Sequence, residues 1–192
     1  MKNPDYIVIV DGSQVYMNHD DKRRIVSASA GIIVDTNRNT FSEFSEYLGE
    51  YHIGYAEFYG VKKALRWIMK REKHVSILIV SDRMEVVRSI NSGRYKPSKS
   101  KSTDKLRKWI YFHALQNPNY KISAIHIKSH PEEISQYPIK YLKRYFNKSG
   151  VKADWTTTQS LKTFNDRADR MAKNVIIQTC NNDGFINLIR RR

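Results

Sequence analysis

The chain has 192 residues, of which 40% are hydrophobic and 11% aromatic, enough for a buried core and too apolar for a disordered segment. Lys and Arg number 34 against 19 Asp and Glu, a formal charge of +15 that points first to a polyphosphate partner, because basic side chains release the counterions condensed on nucleic acid. The single cysteine, Cys180, excludes an intramolecular disulfide and a cysteine-based zinc cluster; no apolar run has the length of a signal peptide or membrane span, so a cytoplasmic chain without a membrane partner is expected.

Tyr6–Val10 is a continuous apolar run that ends at Asp11-Gly12-Ser13, which reads as a buried strand stopped by a turn. Residues 25–34 alternate small and apolar side chains as a second strand, Asp35–Asn39 is turn chemistry, and Thr40–Leu48 completes a meander. From Ala56 to Met69 the period changes: Phe58, Val61, Ala64, Leu65 and Ile68 recur at helical spacing. Val75–Val80 is another buried strand that ends at Ser81-Asp82, and Met84–Ile90 is a short helix after it, a strand-turn-helix order that favours a parallel strand.

Asn91–Thr103 is a polar, basic loop, and Asp104–Leu115 reads as a helix with Ser102 or Thr103 as its N-cap. Ile122–Ile127 is the last strand, followed by Lys128-Ser129-His130. Pro131–Thr163 reads as an insertion with a short helix at Ile139–Phe146. Phe164–Gln178 is a helix with Ala168, Met171, Ala172, Val175 and Ile176 on one side, and residues 179–192 form a basic tail ending in three arginines. The order predicts one α/β domain over residues 1–178, a mixed five-stranded sheet with helices on both faces.

The carboxylates fall at informative places. Asp11 and Asp82 end two apolar strands, at the carboxyl edge where open α/β sheets place ligands. Glu57 sits in the first turn of a core-facing helix, and Asp169 lies between Ala168 and Ala172. Singly, Asp11 could be a turn residue, Glu57 an acid favoured by the helix dipole, and Asp169 has a rival in Asp166 one turn earlier. Gathered together, four such acids would raise one another's pKa, and divalent metal resolves that conflict. Two Mg²⁺ ions held by hard oxygen ligands can activate a water and stabilise the leaving oxygen at phosphorus.

In this arrangement the sequence resembles the ribonuclease H family, type 1. Asp11-Gly12-Ser13 after a strand is similar to the family's opening DGS, and Ala56-Glu57-Phe58 through Ala64-Leu65 to its glutamate helix. Ile77–Asp82 with Val86–Ile90 is similar to its strand-TDS segment, Ile127-Lys128-Ser129-His130 to its VKGH, and Asn165–Ala172 to its NE-x-AD-x-LA helix. The resemblance implies a ribonuclease H-like fold and an endonuclease that cuts the RNA strand of an RNA/DNA hybrid, leaving a 5′-phosphate. It implies Asp11, Glu57, Asp82 and Asp169 as catalytic acids holding two Mg²⁺ ions, with Mn²⁺ as a substitute, and His130 as a proton carrier. Two departures stand out. Arg83 follows the strand-end aspartate where the family has serine, and Ile53-Gly54-Tyr55 replaces a polar run that grips the hybrid.

The basic residues Arg94, Lys96, Lys99, Lys101, Lys105 and Lys128, with Ser13, are the expected nucleic-acid contacts, with Tyr95 and Trp109 available for stacking. The bland reading of the same run is a solvated surface. A monomer is expected. A DNA-directed nuclease, resolvase or transposase core would use the same carboxylates, and a non-catalytic nucleic-acid-binding module is a third reading.

Overall fold

The computed structural model describes residues 4–19, 22–127, 155–182 and 188–189. A sheet in the order β3-β2-β1-β4-β5 is built from β1 (Tyr6–His19), β2 (Lys22–Asp35), β3 (Thr40–Gly49), β4 (Val75–Ser81) and β5 (Tyr120–His126). The first three strands form the expected antiparallel meander, and β4 and β5 add in parallel, so the sheet is mixed. A two-residue strand, β6 (Leu188–Ile189), pairs with β1 at Tyr16 and Met17.

The first strand does not stop at Asp11-Gly12-Ser13. Those residues pair with Ala30, Ser29 and Ala28, and β1 runs on to His19. The local turn signal is overridden because β2 supplies a ladder partner for each of these backbone groups. By contrast β1 pairs with β4 only as far as Ile9 and Val80. Beyond that point β1, still paired with β2, runs on past the carboxyl end of β4. The strand starts are pinned by Asp5, whose carboxylate accepts from the Ser76 amide and hydroxyl, both at 2.8 Å.

Alternation along β1 divides the core. Tyr6, Val8 and Val10 pack with Phe58, Val61, Leu65 and Ile68 of α1 (Ile53–Met69), and with Val86 and Ile90 of α2 (Met84–Asn91). The same layer takes in Leu106 of α3 (Lys101–Trp109). Ile7 and Ile9 face the other way, against Leu161 and Ala168 of α4 (Trp155–Asn182). Among the described residues the sheet therefore carries three helices on one face and one long helix on the other. Phe164 against Phe41 (5.6 Å) and Arg167 bonded to Glu43 fix α4 over β3.

Several element boundaries differ from expectation. Ser100, not Ser102 or Thr103, caps α3, accepting from the Thr103 amide. The helix continues through residues 110–115 with π geometry, where the Gln116 amide reaches the Tyr111 carbonyl five residues back. The last helix starts at Trp155, inside the segment expected to be an insertion, and runs to Asn182. The expected tail boundary at residue 179 thus falls within it, and Cys180 is buried with its Sγ 3.1 Å from Met17 Sδ. Residues 128–154, including the short helix expected at 139–146, lie outside the described residues.

Candidate metal centre

Three carboxylates converge where β1 outruns β4. Asp11 is on β1, Asp82 follows β4, and Glu57 reaches in from the first turns of α1. One oxygen of each lies within 4.8 Å of the other two. Glu57 comes from the opposite side of the sheet from the Ile7–Ile9 face, and residue 12 lets it through. A Cβ at Gly12 would stand 3.1 Å from Glu57 Oε1 and 3.1 Å from Ala56 Cβ. The bare amide of Gly12 instead donates to Glu57 Oε1 at 3.1 Å. The same helix end is tied to β1 by the Ile53 amide, which donates to Gln14 Oε1 at 2.8 Å, while His52 Nδ1 accepts from the Gly54 amide at 3.1 Å as the N-cap.

The turn bearing Asp82 is held from β5. The Ile127 amide donates to the Ser81 carbonyl (3.1 Å), and His126 Nε2 lies 2.8 Å from the Asp82 carbonyl. A carbonyl only accepts, so Nε2 carries the proton in this contact. Nothing in the spacing of His126 in the sequence marks it as the residue that fixes this turn.

The electrostatics are those of crowded, buried anions. Burial, then Glu57, Asp82 and Asp169, push the Asp11 carboxyl up to about 9, opposed by the Gly12 amide. Burial and Asp82 push Glu57 up to about 8, opposed by the Gly12 amide and the charge of Arg83. Glu57 Oε2 is buried and has no hydrogen-bond partner among the described residues. An all-oxygen donor set with an unpartnered buried oxygen fits a hard divalent cation.

Asp169 is placed beside this group rather than in it. It raises the Asp11 pKa, yet its carboxylate lies outside the 4.8 Å set and is held by Lys173 Nζ at 2.6 Å. His130 and Lys128 lie outside the described residues.

No family model matches the chain, and no curated protein matches it. Solved structures do. Ribonuclease H1 from the halophilic archaeon Halobacterium salinarum superposes with a TM-score of 0.52 at 12% identity, over 90% of this chain and 98% of that one. The N-terminal ribonuclease H domain of a Mycobacterium tuberculosis protein gives 0.56 at 15% identity, over 92% and 98%. The ribonuclease H domain of prototype foamy virus gives 0.59 at 18% identity, over 91% and 95%. The chain has a ribonuclease H-like fold.

On this ribonuclease H-like scaffold the expected nucleic-acid contacts separate into groups. Arg94, Lys96 and Lys99 are exposed on the loop after α2, and Lys101 and Lys105 are exposed on α3. The loop is folded onto α3 by Asp104, which accepts from the Tyr95 hydroxyl and, at 2.9 Å, from the Ser98 amide. Ser13 is 6% exposed, so it is not presented as a surface contact. Trp109 packs against the core and stacks on His113 at 5.3 Å, so it is not the open stacking surface expected of it; Phe112, 59% exposed, is the bare ring nearby.

Proposed function

We propose that the chain is a divalent-metal-dependent endonuclease that hydrolyses the RNA strand of an RNA/DNA hybrid and leaves a 5′-phosphate. The observation that carries this reading is the convergence of Asp11, Glu57 and Asp82, with an unpartnered buried oxygen on Glu57, at the sheet edge of a ribonuclease H-like fold. The structural neighbours named as ribonucleases H support the substrate class.

In this reading Asp11, Glu57 and Asp82, assisted by Asp169, would hold two Mg²⁺ ions, or Mn²⁺ in their place. Bound there, the pair supplies an activated water and charge stabilisation at phosphorus. The Gly12 amide orients Glu57, and His126 fixes the Asp82 turn. Lys173 sets the position of Asp169, and Arg83 offsets part of the charge on Glu57. His130 is the proton carrier. Arg94, Lys96, Lys99, Lys101 and Lys105, with Lys128, take the phosphodiester backbone, and the 2′-hydroxyl distinguishes the RNA strand.

One observation favours a second reading, a DNA-directed nuclease. The first turn of α1, where the resembled family carries its polar hybrid-gripping run, is here a half-buried Ile53, a buried Gly54 close to the Arg83 guanidinium, and a Tyr55 stacked on Tyr51 at 4.0 Å. The test is cleavage of labelled hybrid, duplex DNA, duplex RNA and single strands with Mg²⁺ or Mn²⁺, for the native chain and Asp82→Asn. Hybrid cleavage lost in the variant is the expected result. Preferential cutting of duplex DNA selects the second reading, and an active variant removes the site.

A further inference from the structure

The charge of +15 is not spent around the carboxylates alone. A cavity of about 500 Å³ runs along the outer face of α1, and five cations line it: Lys62, Lys63, Arg66, Lys70 and Arg71. No acid lines it. Tyr59 and Trp67 complete its walls, with the Arg71 guanidinium over the Trp67 ring at 4.0 Å.

The cations are largely uncompensated. Lys63 is paired with Glu46, which also accepts from the Tyr59 hydroxyl at 2.7 Å. Lys62, Arg66, Lys70 and Arg71 have no ion pair among the described residues. Burial first, and then the neighbouring charge of Arg66, lower the Lys62 pKa. The helix dipole favours cations at its end, which accounts for Arg66 in the last turn and Lys70 at the C-cap. It does not account for Lys62 and Lys63 further up the helix, nor for a cavity between the charges.

We propose that this face of α1 is a second nucleic-acid contact, a track for an unpaired strand, distinct from the carboxylate centre. Spacing of 62, 66 and 70 repeats a cation every fourth residue along one helix face, a basic row that follows a single backbone. It runs from about 8 to about 20 Å along the helix from Glu57 at 1.5 Å per residue. The cavity has the size of a small-ligand pocket, suited to unpaired bases rather than to the breadth of a duplex. Rings and guanidinium planes are the surfaces on which unstacked bases settle, and Tyr51, Tyr55 and Tyr59 extend the aromatic row toward the site end of α1, with centroids 4.0 and 6.1 Å apart.

The test is binding of a fluorescent single-stranded oligonucleotide of about 12 nucleotides, titrated by anisotropy over a range of salt. EDTA is present throughout, so the result is independent of whether the carboxylates cleave anything. Arg66→Glu/Lys70→Glu is compared with the native chain and with Arg88→Glu/Lys121→Glu, which makes the same charge change at exposed positions away from the groove. We expect the groove variant to bind at least about tenfold more weakly, with a salt slope smaller by about 1.4, or ~0.7 for each lost phosphate contact. The control should lose less than about threefold, with its slope unchanged. Arg66→Gln/Lys70→Gln should fall between, and it serves if the charge reversal perturbs the helix by circular dichroism. Equal losses in groove and control variants mean that net charge alone binds the strand, and the proposal is then wrong; so does a groove variant that binds like the native chain.

Discussion

The amide of Gly12 and the carboxylate of Glu57 meet at 3.1 Å, and a methyl group on residue 12 would stand at the same 3.1 Å from the same oxygen. One glycine thus supplies both the donor that orients Glu57 and the opening through which it reaches Asp11 and Asp82. Gly12→Ala should displace the glutamate without unfolding the sheet. We expect kcat for hybrid cleavage to fall at least about tenfold, with stability lower by about 1–3 kcal/mol, the usual range for overpacking. Steady-state kinetics and thermal melts check this; an alanine variant with native kcat would show that the approach of strand and helix does not set the glutamate.

Asp82→Asn should separate stability from function. It removes a charge that helps hold the Asp11 and Glu57 pKa values up, so the metal-free protein should become more stable, by about 0.5–2 kcal/mol as is common when a functional site is relieved. Cleavage should drop at least about a hundredfold, roughly 2.7 kcal/mol of lost transition-state stabilisation. Added Mn²⁺ should raise the melting temperature of the native chain and leave the variant nearly unmoved. A destabilised metal-free variant would mean that Asp82 is structural.

Stability of the metal-free protein should fall as pH rises. Asp11 and Glu57 titrate near 9 and 8 in the folded state, above their ordinary values of 3.8 and 4.5. Between those limits the folded chain keeps protons that the unfolded chain has released. Each retained proton lowers stability by about 1.4 kcal/mol per pH unit. The contribution is whole below about pH 4 and lost by about pH 9. Asp11→Asn/Glu57→Gln should flatten this slope in urea titrations at several pH values. Mg²⁺ should stabilise the native chain more at high pH, where it displaces fewer protons.

The acids were legible because each ends or opens an apolar element, and the chain must expose its polar groups where such runs stop. Asp11, Glu57 and Asp82 were found this way, as was the mixed sheet with helices on both faces. What was missed depends on partners distant in sequence. Asp11-Gly12-Ser13 looks like a turn until β2 is placed beside it. Gln14, His126 and Lys173 matter through single contacts that no periodicity announces. Phe164 looked like the start of the last helix because the apolar stripe begins there, although the backbone is already helical from Trp155. The basic face of α1 was hidden by success: the residues that reveal the helix are its buried ones, and the outward cations read as solvated filler.

Arg83 gives the sharpest test of the site's electrostatics. Its guanidinium lowers the proton affinity of Glu57, its Nε is buried without a hydrogen-bond partner among the described residues, and its one ion pair there, to Glu85, is long at 3.6 Å. A cation in this place also repels an incoming metal ion. Arg83→Ser should therefore tighten metal binding. The gain depends on the charge added at the site. Near pH 6.5 Asp11 and Glu57 both hold protons, so a divalent ion displaces two and adds no net charge; near pH 9 it displaces about half a proton and adds about 1.5 charges. If removing the repulsion is worth about 0.7 kcal/mol per unit charge, Mn²⁺ binding should be nearly unchanged near pH 6.5 and about fivefold tighter near pH 9. Calorimetric titration of both proteins at the two pH values measures this. Weaker binding in the variant, or the same factor at both pH values, would show that Arg83 does not act on the centre through its charge.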